Sequence, residues 1–414
     1  MTTLVFKQRV FYGWWVVAAA FAVTFVGFGS AYTFSAFIEP LQREFGASRG
    51  AVSLVFSLAG FLYFALGIVS GPLADRWGAR RLCIAGMLLV GAGLALASVA
   101  RNIVEVYAAY GLGEGLGVGL AYVPAVGAVQ RWFVKRRGLA SGLAVSGIGV
   151  GTLAMPPLAA LLIDGMGWRD AYLTLGVLAA VLGVGASLLL ENDPRERGLA
   201  ADGEPLPAHA HAAPPSGDLS VRDAVRTRQF ISLYAACLIA SFGVFVPFVH
   251  LVPHAQDLGI AQGSAVLLLG VIGIGSTAGR FFLGSLADRM GRQRFLLCTV
   301  IALAFTLVIW AVATGFWMLA LFAFLFGACY GGWVAVLPAV VMDLFGGRNV
   351  GGIIGVLYTS VAFGTLIGPS AAGYAFDASR SYTLPILAAV AANLIAGGIL
   401  MVAARGTKRG SAQG

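Results

Sequence analysis

The chain is 414 residues long, 59% hydrophobic and only 11% charged, against about 25% charged residues in a soluble globular domain, which excludes an ordinary cytosolic protein. Its 57 glycines accompany only 15 prolines and no Gly-x-y period. Collagen-like and low-complexity chains are thereby excluded, and the glycine belongs inside apolar segments, where small residues let helices approach. The formal charge of +9, from 27 Lys and Arg against 18 Asp and Glu, raises the question of nucleic acid, which the distribution of those charges along the chain answers without any.

The first apolar run extends from Phe11 to Phe37 behind Lys7 and Arg9. It is too long for a signal-peptide core, lacks a convincing cleavage site, and reads as a membrane span. A bilayer core of about 30 Å needs roughly 20 apolar residues per helix. Cuts at charged or turn-forming breaks predict twelve spans, over 11–37, 50–72, 82–100, 103–130, 138–161, 169–190, 228–256, 262–287, 295–313, 316–343, 350–376 and 382–404. With both termini cytoplasmic, 21 of the 27 Lys and Arg fall on the inside. Arg43, Arg49, Arg101, Arg169 and Arg380 fall outside, and Arg280 alone lies within a span. That asymmetry sets the expected orientation and accounts for the basic charge.

The expected fold class is an all-α membrane protein of twelve transmembrane helices in two pseudo-symmetric six-helix bundles. The expected domains are a bundle over 1–190, a cytoplasmic linker over 191–227 and a second bundle over 228–414. The linker carries Pro194, Pro205, Pro207, Pro214 and Pro215 with scattered charge, so its middle should be mobile. Leu219 to Arg228 could form a short interfacial helix capped by Ser216 or Asp218. His209 and His211 have no further ligands nearby, and Cys83, Cys237, Cys298 and Cys329 lie in apolar runs without metal-ligand spacing. These cysteines read as small core residues, and no metal or cofactor is expected.

An internal repeat organises the rest. Gly71-Pro72-Leu73-Ala74-Asp75-Arg76-Trp77-Gly78-Ala79-Arg80-Arg81 recurs as Gly284-Ser285-Leu286-Ala287-Asp288-Arg289-Met290-Gly291-Arg292-Gln293-Arg294, at an offset of 213. The same offset pairs Gly151-Thr152-Leu153 with Gly364-Thr365-Leu366, Pro156 with Pro369, and Asp164 with Asp377. The halves are therefore parallel repeats. The motif resembles the signature of the major facilitator superfamily between spans two and three, present here twice in register. The resemblance implies that Gly71, Asp75, Arg76, Gly284, Asp288 and Arg289 serve gating, with charge-assisted pairs locking the cytoplasmic faces.

Two further segments are similar to narrower groups. Arg131-Trp132-Phe133-Val134-Lys135-Arg136-Arg137-Gly138-Leu139-Ala140-Ser141-Gly142 resembles the loop-to-span-five motif of monocarboxylate porters. Asn192-Asp193-Pro194-Arg195-Glu196-Arg197-Gly198-Leu199, with Arg226-Thr227-Arg228-Gln229-Phe230, resembles the linker of the bacterial oxalate/formate antiporter group. Together they imply carboxylate transport across a bacterial inner membrane.

Arg280 sits among apolar and small residues of span eight. An arginine near the bilayer centre costs about 2.5 to 3.5 kcal/mol on insertion scales, so it needs a partner or an aqueous cavity unless it snorkels towards the cytoplasm. Its planar fork matches a carboxylate in two hydrogen bonds, and the resemblance implies that role for a span-eight arginine. Ser276, one turn earlier, shares its helical face. It stands where mammalian monocarboxylate porters carry an aspartate, and span one lacks their lysine, so their proton relay cannot be copied. Residues 350–376 also lack the lysine of oxalate exchangers. A single buried cation suits a mono-anion better than a dianion.

Tyr330, flanked by Gly327, Gly331 and Gly332, and Tyr122, before Pro124, offer hydroxyls on rigid rings for orienting a substrate. Packing alone is the other reading of each. The resemblance favours function, since related lactate porters use tyrosines in these spans. His250, between Pro247 and Pro253, could take a coupled proton, touch substrate or gate the outer mouth, or be merely interfacial. Glu114, inside the glycine run 111–119, is a second proton-carrier candidate, or a neutral acid bonded to a neighbouring helix. That run precedes no strand, so a nucleotide reading is negligible, and the span-four arginine of drug/proton antiporters is absent. The expectation is a monomeric, proton-coupled symporter of lactate- or pyruvate-type monocarboxylates in the lipid bilayer. An oxalate/formate-type exchanger and a non-transporting sensor are the alternatives. Without a triad, metal cluster or paired carboxylates, an enzyme is not expected.

Overall fold

The computed structural model describes residues 11–204, 219–346 and 349–410, without the side chains of residues 75, 137, 138, 284, 285, 288, 350 and 404–410. Among the described residues no strand forms, and membrane-length helices make up the fold. They are α1 (Gly13–Phe45), α2 (Arg49–Ala65 continuing as Gly67–Trp77), α3 (Ala79–Ser98) and α4 (Ile103–Trp132). A continuous stretch, Arg137–Ser187, comes next and is broken at Gly167 into α5 (137–166) and α6 (168–187). The second half comprises α7 (Arg228–Asp257), α8 (Gln262–Met290), α9 (Arg292–Ala311), α10 (Phe316–Phe345), α11 (Val350–Ser379) and α12 (Thr383–Gly410). The two halves are like bundles of six.

Local chemistry sets the ends. Ser48 caps α2 by accepting the Ala51 N–H at 3.2 Å, satisfying one of the open donors of a helix start. The repeated motif contains glycines that turn α2 into α3 and α8 into α9. Gly78 and Gly291 have φ of 84° and 86°, a backbone that a side chain opposes. The recurrence of that glycine in the sequence is thus a conformational requirement.

Glycine also sets how closely the helices cross. A Cβ on Gly331 of α10 would lie 2.1 Å from the Ser276 carbonyl of α8, and one on Gly149 of α5 would lie 2.2 Å from Thr277 Oγ1. The first contact fixes the depth and rotation of the helix carrying Arg280, and the second joins the two halves. The halves meet again along α2 and α11, where Gly60 faces Thr365. Large apolar side chains such as Trp317, Phe282 and Val402 point outward, as they do when the surrounding solvent is hydrocarbon.

Several expectations are corrected. Cys83 and Cys237 are buried, whereas Cys298 is exposed on α9, where a thiol is apolar enough to face lipid. The middle of the linker, expected to be mobile, falls on 205–218 and lies outside the described residues, while its first residues are docked. Trp132 Nε1 donates to the Glu191 carbonyl at 3.0 Å, Arg131 Nη2 donates to Asn192 Oδ1 at 2.5 Å, and Arg197 lies 3.4 Å over the Tyr12 ring. Further on, Ser220 caps a single turn, Val221–Ala224. Ser216 and Asp218, expected as its cap, lie outside the described residues, as do His209 and His211.

Candidate functional site

Arg280 points into the interior where the two halves face each other. It is 8% exposed, and its Nε, Nη1 and Nη2 have no hydrogen-bond partner among the described residues. Snorkelling is therefore not its solution. A guanidinium carries five donors, and leaving them unpaired in an apolar interior is expensive. The groups within electrostatic reach are the hydroxyls of Tyr330, Tyr122, Tyr32 and Tyr358. They come from α10, α4, α1 and α11, so both halves contribute.

The tyrosines are held by other rings. Tyr32 stacks on Phe248 with centroids 4.5 Å apart, Tyr330 meets Phe248 edge-on at 5.2 Å, and Tyr122 meets Phe28 at 5.0 Å. Such ring pairs restrict the directions of the phenol oxygens. Tyr32 Oη and Tyr330 Oη are 3.4 Å apart across the two halves, and the Tyr122 and Tyr358 hydroxyls also approach each other. A cavity of about 30 Å³ lies among Tyr122, Tyr330, Tyr358, Phe28, Phe245 and Trp333. That is room for about one water, so a carboxylate with a carbon chain enters only when the helices part.

Of the residues expected at the site, Tyr330 and Tyr122 surround Arg280, and Ser276 is buried one turn away with Oγ unpartnered among the described residues. His250 is placed elsewhere. Its Nε2 lies 2.8 Å from the Pro369 carbonyl, its Nδ1 3.0 Å from Tyr382 Oη, and Ser53 Oγ approaches at 3.4 Å. Glu114 lies within the first half, with Oε1 2.5 Å from Ser30 Oγ. Of the gating motif, Arg76 and Arg289 are exposed, while the Asp75 and Asp288 side chains lie outside the described residues. Among the described residues no cluster of potential metal ligands occurs.

Sequence reasoning missed Tyr32 and Tyr358, and it missed a latch on the face opposite the basic motifs. There Arg49 donates to both oxygens of Asp257, at 2.6 and 2.8 Å, and to Tyr382 Oη at 3.1 Å. The Asp377 carboxylate accepts the backbone N–H groups of Arg49 (3.0 Å) and Gly50 (2.8 Å). A carboxylate from α11 thus sits on the positive end of α2, and the two halves are tied shut across that face. The pairing of Asp164 with Asp377 in the repeat was the available signal.

Two like helical bundles meeting around a buried guanidinium that has no hydrogen-bond partner among the described residues, and latched on one face, define the architecture of a secondary transporter. Comparison places it more narrowly. The sequence profile of the Major Facilitator Superfamily matches residues 19–279 and 231–413. The chain is 31% identical over 391 residues to monocarboxylate transporter 11 of Homo sapiens, covering 91% of this chain and 79% of that protein. It is also 31% identical over 405 residues to monocarboxylate transporter 3 of Rattus norvegicus, covering 94% and 79%. A bacterial homolog of the human lysosomal transporter Spinster, solved in an inward-facing and unoccupied conformation, shares the fold with a TM-score of 0.73 at 15% identity, over 95% of this chain and 97% of that one. The chain belongs to the Major Facilitator Superfamily, and its relatives are transporters rather than enzymes.

Proposed function

We propose that the protein is a proton-coupled symporter of small monocarboxylates of the lactate or pyruvate type, working by alternating access. The observation that carries this reading is Arg280, a buried guanidinium with no hydrogen-bond partner among the described residues, at the meeting of the two halves. A carboxylate supplies the two acceptors that its fork fits, and Tyr330, Tyr122 and Ser276 orient the rest of the molecule. The relatives named for monocarboxylates support the substrate class.

The surroundings favour one negative charge. The cavity is lined by phenols and apolar side chains, and the groups within electrostatic reach of Arg280 are phenols, so a second carboxylate would be desolvated without a counter-ion. In this reading the basic face is cytoplasmic, both termini lie there, and the Arg49 latch closes the outer face of a bacterial inner membrane. His250 belongs to the latch through Tyr382, and among the described residues it and Glu114 are fully buried groups able to take a proton.

Uptake of radiolabelled lactate into proteoliposomes, with and without an inward proton gradient, tests the proposal. Accumulation above the outside concentration that depends on the gradient is expected. Counterflow that ignores pH would replace symport with anion exchange, and binding without movement would replace it with a sensor.

A further inference from the structure

Tyr32 stands at a break that the internal repeat shares. α1 is interrupted at Thr33, between Gly13–Tyr32 and Phe34–Phe45, and α7 at Phe245, between Arg228–Val244 and Val246–Asp257. The offset of 213 pairs Tyr32 with Phe245. Both are fully buried rings beside the site, and Tyr32 carries a hydroxyl where its mate has none. Phe245 shows that packing at this break needs a ring and no oxygen.

The Tyr32 ring belongs to the first half but leans on the second. It stacks on Phe248 of α7, the ring planes 18° apart, and within its own half it meets Phe28 and Phe56 at 6.1 and 6.2 Å. Its hydroxyl has one partner among the described residues, Tyr330 Oη of α10 at 3.4 Å. That is well beyond the roughly 2.7–2.8 Å of a good O–H···O hydrogen bond. Two hydroxyls also hold two protons, of which their mutual contact uses one, and a buried hydroxyl without a good acceptor is costly. Both hydroxyls are within electrostatic reach of Arg280, whose three nitrogens have no partner among the described residues.

One acceptor would satisfy these donors together. An ionised carboxylate offers about four lone-pair sites on its two oxygens, of which the guanidinium fork takes two. The Tyr32 proton takes a third, and Tyr330 then keeps its own proton for the rest of the molecule. An anion shared in this way joins α1 of the first half to α8 of the second. Tyr32 also leads to the latch. The outer segment Phe34–Phe45 follows it directly, and Glu39 on that segment accepts from Gln256 Nε2 of α7 at 2.9 Å, beside Asp257 that holds Arg49.

We propose that Tyr32 is a substrate-binding residue whose hydroxyl donates to the carboxylate on Arg280, so that a loaded site ties the two halves together and holds the outer face shut. This rests on the reading of Arg280 as the carboxylate site. In the empty site Tyr32 makes, among the described residues, only the long contact with Tyr330. Loading therefore strengthens the closure that the latch begins.

Tyr32→Phe in proteoliposomes tests this, because it keeps the ring and installs the residue that the repeat accepts at Phe245. Half-saturating lactate should rise about three- to tenfold. The rise should persist, within about twofold, on a Tyr330→Phe background, since each hydroxyl touches the substrate itself. With Ser53→Cys as a reporter behind the latch, saturating lactate should slow the reaction with an impermeant maleimide about fivefold. Tyr32→Phe should abolish that protection and leave the rate without lactate within about twofold. An unchanged half-saturation, or a rise that disappears on the Tyr330→Phe background, means that Tyr32 does not touch the substrate and overturns the proposal. Protection by saturating lactate that survives in Tyr32→Phe overturns the tie between the halves. Uptake abolished by Arg280→Ala but unaltered by Tyr32→Phe would leave the carboxylate reading intact and defeat this inference alone, whereas uptake unaffected by Arg280→Ala would defeat that reading first.

Discussion

Replacing Arg280 by lysine tests the heart of the site, because it keeps the charge and removes the fork. All three guanidinium nitrogens lack hydrogen-bond partners among the described residues, so a bound carboxylate supplies both acceptors of a two-pronged contact. A hydrogen bond to a charged group contributes about 1.5 to 3 kcal/mol. Losing one of the two should raise the half-saturating lactate concentration about 10- to 150-fold, at 1.4 kcal/mol per factor of ten. Arg280→Ala removes both, at about 2 to 5 kcal/mol or more, and uptake should vanish. Stability should move the other way. The empty wild type holds an uncompensated buried cation, so Arg280→Ala should melt at a higher temperature without ligand. Lactate should raise the melting temperature of the wild type and leave that of the alanine variant unchanged. The assays are initial uptake at subsaturating lactate and thermal unfolding with and without lactate. Wild-type uptake by Arg280→Lys would refute the two-pronged contact, and a lower melting temperature for empty Arg280→Ala would refute the unpaired charge.

Other substitutions probe the surroundings. Tyr330→Phe keeps the ring and removes one hydroxyl, worth about 0.5 to 1.5 kcal/mol, so half-saturation should rise roughly two- to tenfold in the uptake assay; an unchanged value would reduce Tyr330 to packing. Asp377→Asn withdraws the charge and one of two acceptors from the start of α2, weakening the latch by about 1 to 2 kcal/mol. A cysteine placed at Ser53, buried behind that latch, should then react roughly 5- to 30-fold faster with an impermeant maleimide, whereas an unaltered rate would remove Asp377 from the gate. Gly331→Ala drives a methyl against the Ser276 carbonyl, costing about 1 to 3 kcal/mol. Both melting temperature and lactate uptake should fall, and a variant indistinguishable from wild type in both would contradict the close crossing of α8 and α10.

The sequence by itself determined the membrane class, the breaks between spans and the segregation of basic residues. These depend on whether each residue favours hydrocarbon or water, a property each short segment carries on its own. Gly78 and Gly291 were legible for a similar reason, since a local backbone turn reserves their positions for glycine. Arg280 was legible because a cation in an apolar run is costly wherever that run packs. Its surroundings were not. Tyr32 and Tyr358 lie on the first and eleventh helices, and only the crossings set by Gly331, Gly149 and Gly60 bring them round the same guanidinium. His250 shows the same limit, because a histidine between prolines reads alike at a substrate site or a latch. The tertiary structure set it against Tyr382 and the Pro369 carbonyl. Asp377 was visible as the repeat partner of Asp164, but its role required the start of α2 to arrive opposite it. Chemistry along a helix is written locally, whereas the groups that face each other depend on the rotation and depth of helices distant in sequence, which close packing alone decides.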